Sequence, residues 1–140
     1  MQRDRIVYVP GVFDLLHHGH INIIEVAKSQ GGVVVVGLLT DEAAESYKCT
    51  PVLAYADRAR VVGALRDVDV VLPQATHDCV PMINLLRPRA LVHGRPLQAD
   101  IRKETIEALR VCGGRLIEVP STEGISSTRL RESLAKGRKL

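Results

Sequence analysis

At 140 residues the chain is the size of one domain, and a 46% hydrophobic content is enough for a packed core. A net charge of +3, with its basic residues mostly dispersed, is too small to argue for nucleic-acid binding. The longest apolar stretch, Val33 to Leu39, falls far short of the ~20 residues a membrane span needs.

No signal peptide precedes the first strand-like run, Ile6–Val9. A helix with Ile21, Ile24 and Ala27 on one face follows and ends at Gly31-Gly32. Val33–Leu39 reads as the second strand, and Arg58–Leu65 as a helix with Val61, Val62 and Leu65 inward. Val68–Leu72 is the third strand, Val80–Leu86 a short helix stopped before Pro88, and Ala90–Val92 the fourth strand. Asp100–Val111 is a helix ended by Gly113-Gly114, Leu116–Val119 the fifth strand, and the last helix runs from near Ser126 to about Lys136. Alternating strands and helices predict an α/β fold, a parallel sheet wrapped by helices. Continuous rather than alternating apolar runs fit strands buried on both faces. No Trp and a single Phe leave the core to Val, Leu, Ile and Ala. The basic cluster Arg129, Arg131, Lys136, Arg138 and Lys139 reads as a solvated helix end. Cys49, Cys79 and Cys112 lack C-x-x-C spacing, so neither a disulfide framework nor a zinc site is expected. The reading is of a cytoplasmic chain with reduced thiols.

The strongest chemical signal is Gly11-Val12-Phe13-Asp14-Leu15-Leu16-His17-His18-Gly19-His20, which leaves the first strand and enters the first helix. Unpaired N–H groups and the positive dipole end of a helix suit a phosphate there. Gly11 and Gly19 let backbone approach a ligand closely. His17 and His20, three apart, are expected to share a face of the first helical turn and to donate to phosphate oxygens. H-x-G-H lacks the i, i+4 spacing of a helical zinc pair. Far along the chain, Ser126, Ser127 and Thr128 are good N-cap residues for the last helix and make a second anion site.

The first motif resembles the G-x-F-D-x-x-H-x-G-H signature of the HxGH nucleotidylyltransferases, specifically the cytidylyltransferases. Thr122-Glu123-Gly124-Ile125-Ser126-Ser127-Thr128 is similar to that family's R-T-E-G-I-S-[ST]-T segment. Thr40-Asp41-Glu42, Lys48, Tyr55 with Arg58, and Val68-Asp69 resemble further family elements in the same order. The resemblance implies a Rossmann-like, doubly wound five-stranded parallel sheet of the nucleotidylyltransferase superfamily, formed by residues 1–140 as one domain. It implies CTP as donor, Mg²⁺ bound through the triphosphate, and a homodimer. His17, His20 and Lys48 would be catalytic. Gly11, Val12, Phe13, Gly19, Thr122, Gly124, Ile125, Ser126, Ser127 and Thr128 would bind nucleotide, with His93, Gly94 and Arg95 in place of the family's G-D-D-W segment. Arg58 would hold the acceptor's anionic group. Asp14 and Asp41 follow strands 1 and 2, where each is expected to orient a base, a lysine or the acceptor. Ser121 stands where the family has arginine, and Arg95 is the cation expected to compensate.

Gly37-Leu38-Leu39-Thr40-Asp41 and Val71-Leu72-Pro73-Gln74 look most like the phosphonate cytidylyltransferase domains associated with phosphoenolpyruvate mutase, including those of the fosfomycin pathway. Those imply 2-hydroxyethylphosphonate as acceptor and possible fusion to a mutase domain. A choline-type acceptor fits less well, because few aromatics are present to build a cage. Glycerol-3-phosphate cytidylyltransferase and a non-catalytic nucleotide-binding module of the same fold are the alternatives.

Overall fold

The computed structural model describes residues 5–94 and 97–137. In chain order the elements are β1 (Ile6–Gly11), α1 (His18–Ser29), β2 (Val33–Leu39), α2 (Asp41–Glu45), α3 (Tyr55–Gly63), β3 (Val70–Gln74), α4 (Val80–Leu86), β4 (Ala90–His93), α5 (Ala99–Val111), β5 (Arg115–Glu118) and α6 (Ser127–Ala135). The five strands pair in parallel in the order β3-β2-β1-β4-β5. This is a doubly wound, Rossmann-like α/β sheet. Among the described residues no helix is long and apolar enough to cross a membrane.

Side chains alternate across the pleat, so one strand feeds two cores. Val7 and Val9 of β1 join Val34, Val36 and Leu38 beneath Ile24 and Ala27 of α1 and Val62 of α3. Their neighbours Ile6 and Tyr8 point the other way, with Val35 and Leu91, onto Ile83 of α4 and Leu109 of α5. Both faces are covered, which is why these strands read as unbroken apolar runs. Leu91 is completely buried, and trimming it to Ala costs about 2–5 kcal/mol.

Four local differences from the sequence reading have physical causes. The third strand runs from Val70 to Gln74. Its approach is taken by Asp69, whose N–H donates to Val34 O while its carboxylate accepts from Val34 N at 2.8 Å. A short helix, α2, was not anticipated; Thr40 caps it by accepting from Ala43 N. Helix α3 starts at Tyr55, and Val61 lies 44% exposed while Val62 alone of that pair packs inward. The fifth strand begins at Arg115 and ends at Glu118, one residue earlier at each end.

After β1 the chain moves outward through β2 to β3, then returns to place β4 on the other flank of β1. Strand order therefore reverses between β1 and β4, and a crevice opens at their carboxyl ends.

Candidate active site

A cavity of about 380 Å³ occupies that crevice. From the first motif it is lined by Gly11, Val12, Phe13, Asp14, His17, Gly19 and His20. From the second it is lined by Thr122, Ile125, Ser126 and Ser127, and from the rest of the chain by Lys48, His93 and Gly94. Gly124 and Thr128 do not line it, and both are exposed. Arg95 lies outside the described residues.

The two histidines are organised differently from a shared helical face. His17 is the N-cap of α1, in extended conformation, and its Nδ1 accepts from Gly19 N at 3.1 Å. His20 reaches back, and its Nδ1 accepts from His17 N at 3.1 Å. This reciprocal capping box brings the ring centroids to 4.1 Å. A ring that accepts at Nδ1 carries its proton on Nε2. The backbone thus selects the same tautomer twice. Gly19 serves this arrangement directly: a Cβ there would stand 2.7 Å from His17 Cε1.

Two bonds close the far end of the chain onto the near end. Asn22 Nδ2 on α1 donates to Thr122 Oγ1 at 2.9 Å, and Ser127 Oγ donates to Asp14 O at 2.7 Å. Ser126 caps α6 by accepting from Arg129 N. The N-termini of α1 and α6 thereby meet at one cavity, two donor-rich helix ends facing the same space.

Arg58 is expected to hold the acceptor's anionic group, and Asp14 and Asp41 each to orient a base, a lysine or the acceptor; the structure engages all three side chains in bonds within the protein. Arg58 is fully buried and does not line the cavity. Its Nε donates to Leu53 O, its Nη1 to Val12 O and Leu39 O, and its Nη2 to Asp41 Oδ1 at 2.6 Å. Arg58 thus staples the exits of β1 and β2 to the loop before α3, with Asp41, also away from the cavity, as its counter-charge. Asp14 borders the cavity but spends its carboxylate internally, accepting from Val52 N, Leu53 N and Arg131 Nη2. Burial alone would push that carboxyl up. The two amides and the guanidinium outweigh it and hold Asp14 below the usual carboxylate range. Left-handed backbone at Phe13 (φ 50°) and Leu15 (φ 48°) brackets Asp14, a strain of about 1–3 kcal/mol each that its bonds must hold.

Of the basic cluster expected to be a solvated helix end, Arg129 and Lys136 are exposed, whereas Arg131 departs from that reading. It lines the cavity, pairs with Asp14, and presents Nη1 to Cys49 Sγ at 2.9 Å. Arg138 and Lys139 of that cluster lie outside the described residues. Cys79 is buried, whereas Cys49 is exposed beside Lys48.

Sequence reasoning also passed over Tyr47 and His77, whose rings stack at 3.6 Å and 6° on the cavity wall beside Lys48. Burial first, then the neighbouring His93, push the His77 imidazole below the ordinary histidine value, against the opposing pull of Asp78. No sequence signal marks this pair, since it joins the loop after α2 to the turn after β3. Among the described residues no group of three or more His, Cys, Asp or Glu is placed to hold a metal ion.

The chain is similar to known proteins in sequence and in fold. The model of the family described as cytidylyltransferase-like matches residues 8–133. The chain is 32% identical to the bifunctional protein HldE of Desulfatibacillum aliphaticivorans over 98% of its own length and 28% of that protein. It is 35% identical to the bifunctional protein HldE of Gluconobacter oxydans (strain 621H), over 90% of this chain and 26% of that one. The chain thus spans little more than a quarter of these curated relatives. In fold it is similar to the lipopolysaccharide core biosynthesis protein of Thermoplasma volcanium GSS1, at a TM-score of 0.70 and 24% identity, covering 84% of this chain and 95% of that one.

Proposed function

This chain belongs to the cytidylyltransferase-like family, and we propose from that premise that it transfers a nucleotidyl group from a nucleoside triphosphate to a small phosphate- or phosphonate-bearing acceptor. An acceptor oxygen attacks the α-phosphorus in line, a P–O bond forms, the bond to the β-phosphate bridge breaks, and pyrophosphate leaves. Mg²⁺ enters as part of the triphosphate substrate, where it offsets charge on the leaving group.

The observation that carries this reading is the meeting of the α1 and α6 N-termini at a cavity also lined by His17, His20 and Lys48. Phosphoryl-type transfer asks for positioning and charge stabilisation rather than a covalent nucleophile. His17 and His20, each with Nδ1 committed to a backbone N–H, would offer Nε2–H to phosphate oxygens. The Lys48 ammonium would offset charge at the α-phosphate and the acceptor. Among the described lining residues Asp14 is the one carboxylate, and Arg131 neutralises it, so a polyanion meets little repulsion.

Within this reading CTP as donor and 2-hydroxyethylphosphonate as acceptor form the specific pair that the motif resemblance supports; the HldE relatives' names speak for neither. Residues 1–140 would form one nucleotidyl-transfer domain. A homodimer and a phosphoenolpyruvate mutase partner rest on the resemblance alone.

The test is pyrophosphate release with CTP or ATP, Mg²⁺ and a panel of phosphates and phosphonates. His20→Ala is expected to lower kcat by about 10²–10³-fold while nucleotide Kd changes little. Equal losses in both would reduce His20 to a binding role. Nucleotide binding with no pyrophosphate from any pair would make the chain a binding module and overturn the proposal.

A further inference from the structure

Tyr8 in the middle of β1 and Gln74 at the end of β3 are both buried, and the Tyr8 hydroxyl donates to Gln74 Oε1. Gly37 on the intervening strand makes room for this crossing: a Cβ there would lie 1.8 Å from the Tyr8 hydroxyl. Burial pushes the Tyr8 phenol far up, so it stays a donor. Gln74 Nε2 then donates to the carbonyl oxygens of Thr76 at 2.9 Å and His77 at 3.4 Å. Buried amides and hydroxyls are costly to leave unpaired, so this chain of bonds fixes geometry. The strand does not need it, because β3 is already registered on β2 from Val35↔Val70 to Leu39↔Gln74. What it holds is the turn that carries His77, and His77 stacks on Tyr47 at the cavity wall.

We propose that His77 is a specificity-determining residue that hydrogen-bonds a hydroxyl on the acceptor, and that Gln74, anchored by Tyr8, is the residue that positions it. This rests on the nucleotidyl-transfer reading above and deepens it. The chemistry follows from the ring's environment. Burial and His93 lower the His77 imidazole below its ordinary value, which favours the neutral ring, and a neutral imidazole has one donor and one acceptor. A hydroxyl also donates and accepts, so the two match, whereas a phosphate oxygen only accepts. The phosphates have their own donors at His17, His20 and the helix N-termini. An acceptor bearing a hydroxyl beside its phosphate or phosphonate is the chemical class this wall selects.

The experiment uses matched acceptor pairs: 2-hydroxyethylphosphonate against ethylphosphonate, and glycerol 3-phosphate against propyl phosphate. The wild-type chain is expected to favour the hydroxylated member by about tenfold in kcat/KM, the scale of one hydrogen bond. His77→Ala should bring that ratio close to one while leaving the nucleotide KM unchanged. Gln74→Leu should produce the same collapse with the histidine still present. Tyr8→Phe, which removes only the hydroxyl, repeats the test in a variant that keeps the ring packing. Thermal unfolding of each variant reports the fold. A merely structural role would lower kcat/KM for both members of a pair equally, and that result overturns the inference. Wild-type turnover with the hydroxyl preference intact in His77→Ala sinks this inference alone. Wild-type silence with every acceptor sinks it together with the reading it rests on.

Discussion

Arg131 on the last helix grips the carboxylate of Asp14 at the exit of the first strand, across 117 residues of chain. Asp14 in turn accepts from Val52 and Leu53, so one carboxylate fastens both α6 and the loop that carries Tyr47 and Lys48. Asp14→Asn removes the charge and leaves a mostly buried guanidinium uncompensated. The expected loss is about 2–3 kcal/mol of stability, read by denaturant unfolding. Limited proteolysis should also show earlier cutting between residues 46 and 54. An unchanged midpoint and cutting pattern would remove the clamp from the account.

Gly19→Ala tests the histidine geometry without touching either imidazole. The new methyl group meets the His17 ring, and the ring must move. Stability should change by less than about 1 kcal/mol, because Ala is at least as good a helix former as Gly. Turnover should fall by about 10²-fold, the scale of an ångström of misplacement at a reacting centre. Steady-state kinetics and a melting curve on the same sample separate the two effects.

Arg58→Ala is expected to act on the fold rather than on the acceptor. The side chain is buried, and its removal strands the carbonyls of Val12, Leu39 and Leu53 and the Asp41 carboxylate. A loss of about 3–5 kcal/mol follows, measured by chemical denaturation. Any protein that remains folded should keep its acceptor KM. A raised acceptor KM with full stability would return Arg58 to the binding role first expected of it.

Acid should destabilise the fold through two groups. The Asp14 carboxyl is lowered in the folded chain, so its contribution is present above the unfolded value of ~3.9 and lost as pH falls through the folded value. The His77 imidazole is also lowered, so the folded chain resists its protonation. Its contribution is complete above the unfolded value of ~6.5 and declines as pH falls from there. Melting temperature should drop between pH 7.5 and 5.5, and His77→Gln should shrink that drop. An identical drop in the variant would show that other groups carry it.

Much of the architecture was legible because burial on both faces leaves unbroken Val, Ile and Leu runs, and all five strands fall within two residues of those runs at each end. Thr40-Asp41-Glu42 contained a helix start, a cap followed by two acidic first-turn residues, yet five residues of helix give too little periodicity to see. The wall formed by Tyr47 and His77 was invisible for a different reason. Stacking partners 30 positions apart meet only after β2, α2, α3 and β3 are in place, and neither residue type announces a partner. Likewise the charges of Asp14, Arg58 and Arg131 could be counted from the sequence but not paired. Which arginine meets which carboxylate is decided by strand order, and strand order leaves no local mark. Two motifs joining one cavity was a matter of topology that the parallel βα alternation did foreshadow, since it sends every strand's carboxyl end to the same edge.

The cavity draws its walls from residues 10–23 and again from 120–131, the opposite reaches of the described chain. During synthesis the first of these segments emerges well before the second. Until β5 and α6 have left the ribosome, the histidine pair has neither Asn22's Thr122 partner nor the Ser127 hydroxyl on Asp14. A ligand that bridges both segments would bind only the finished fold and hold it together. Nucleotide protection against unfolding would then serve as a gauge of completed folding as well as of affinity.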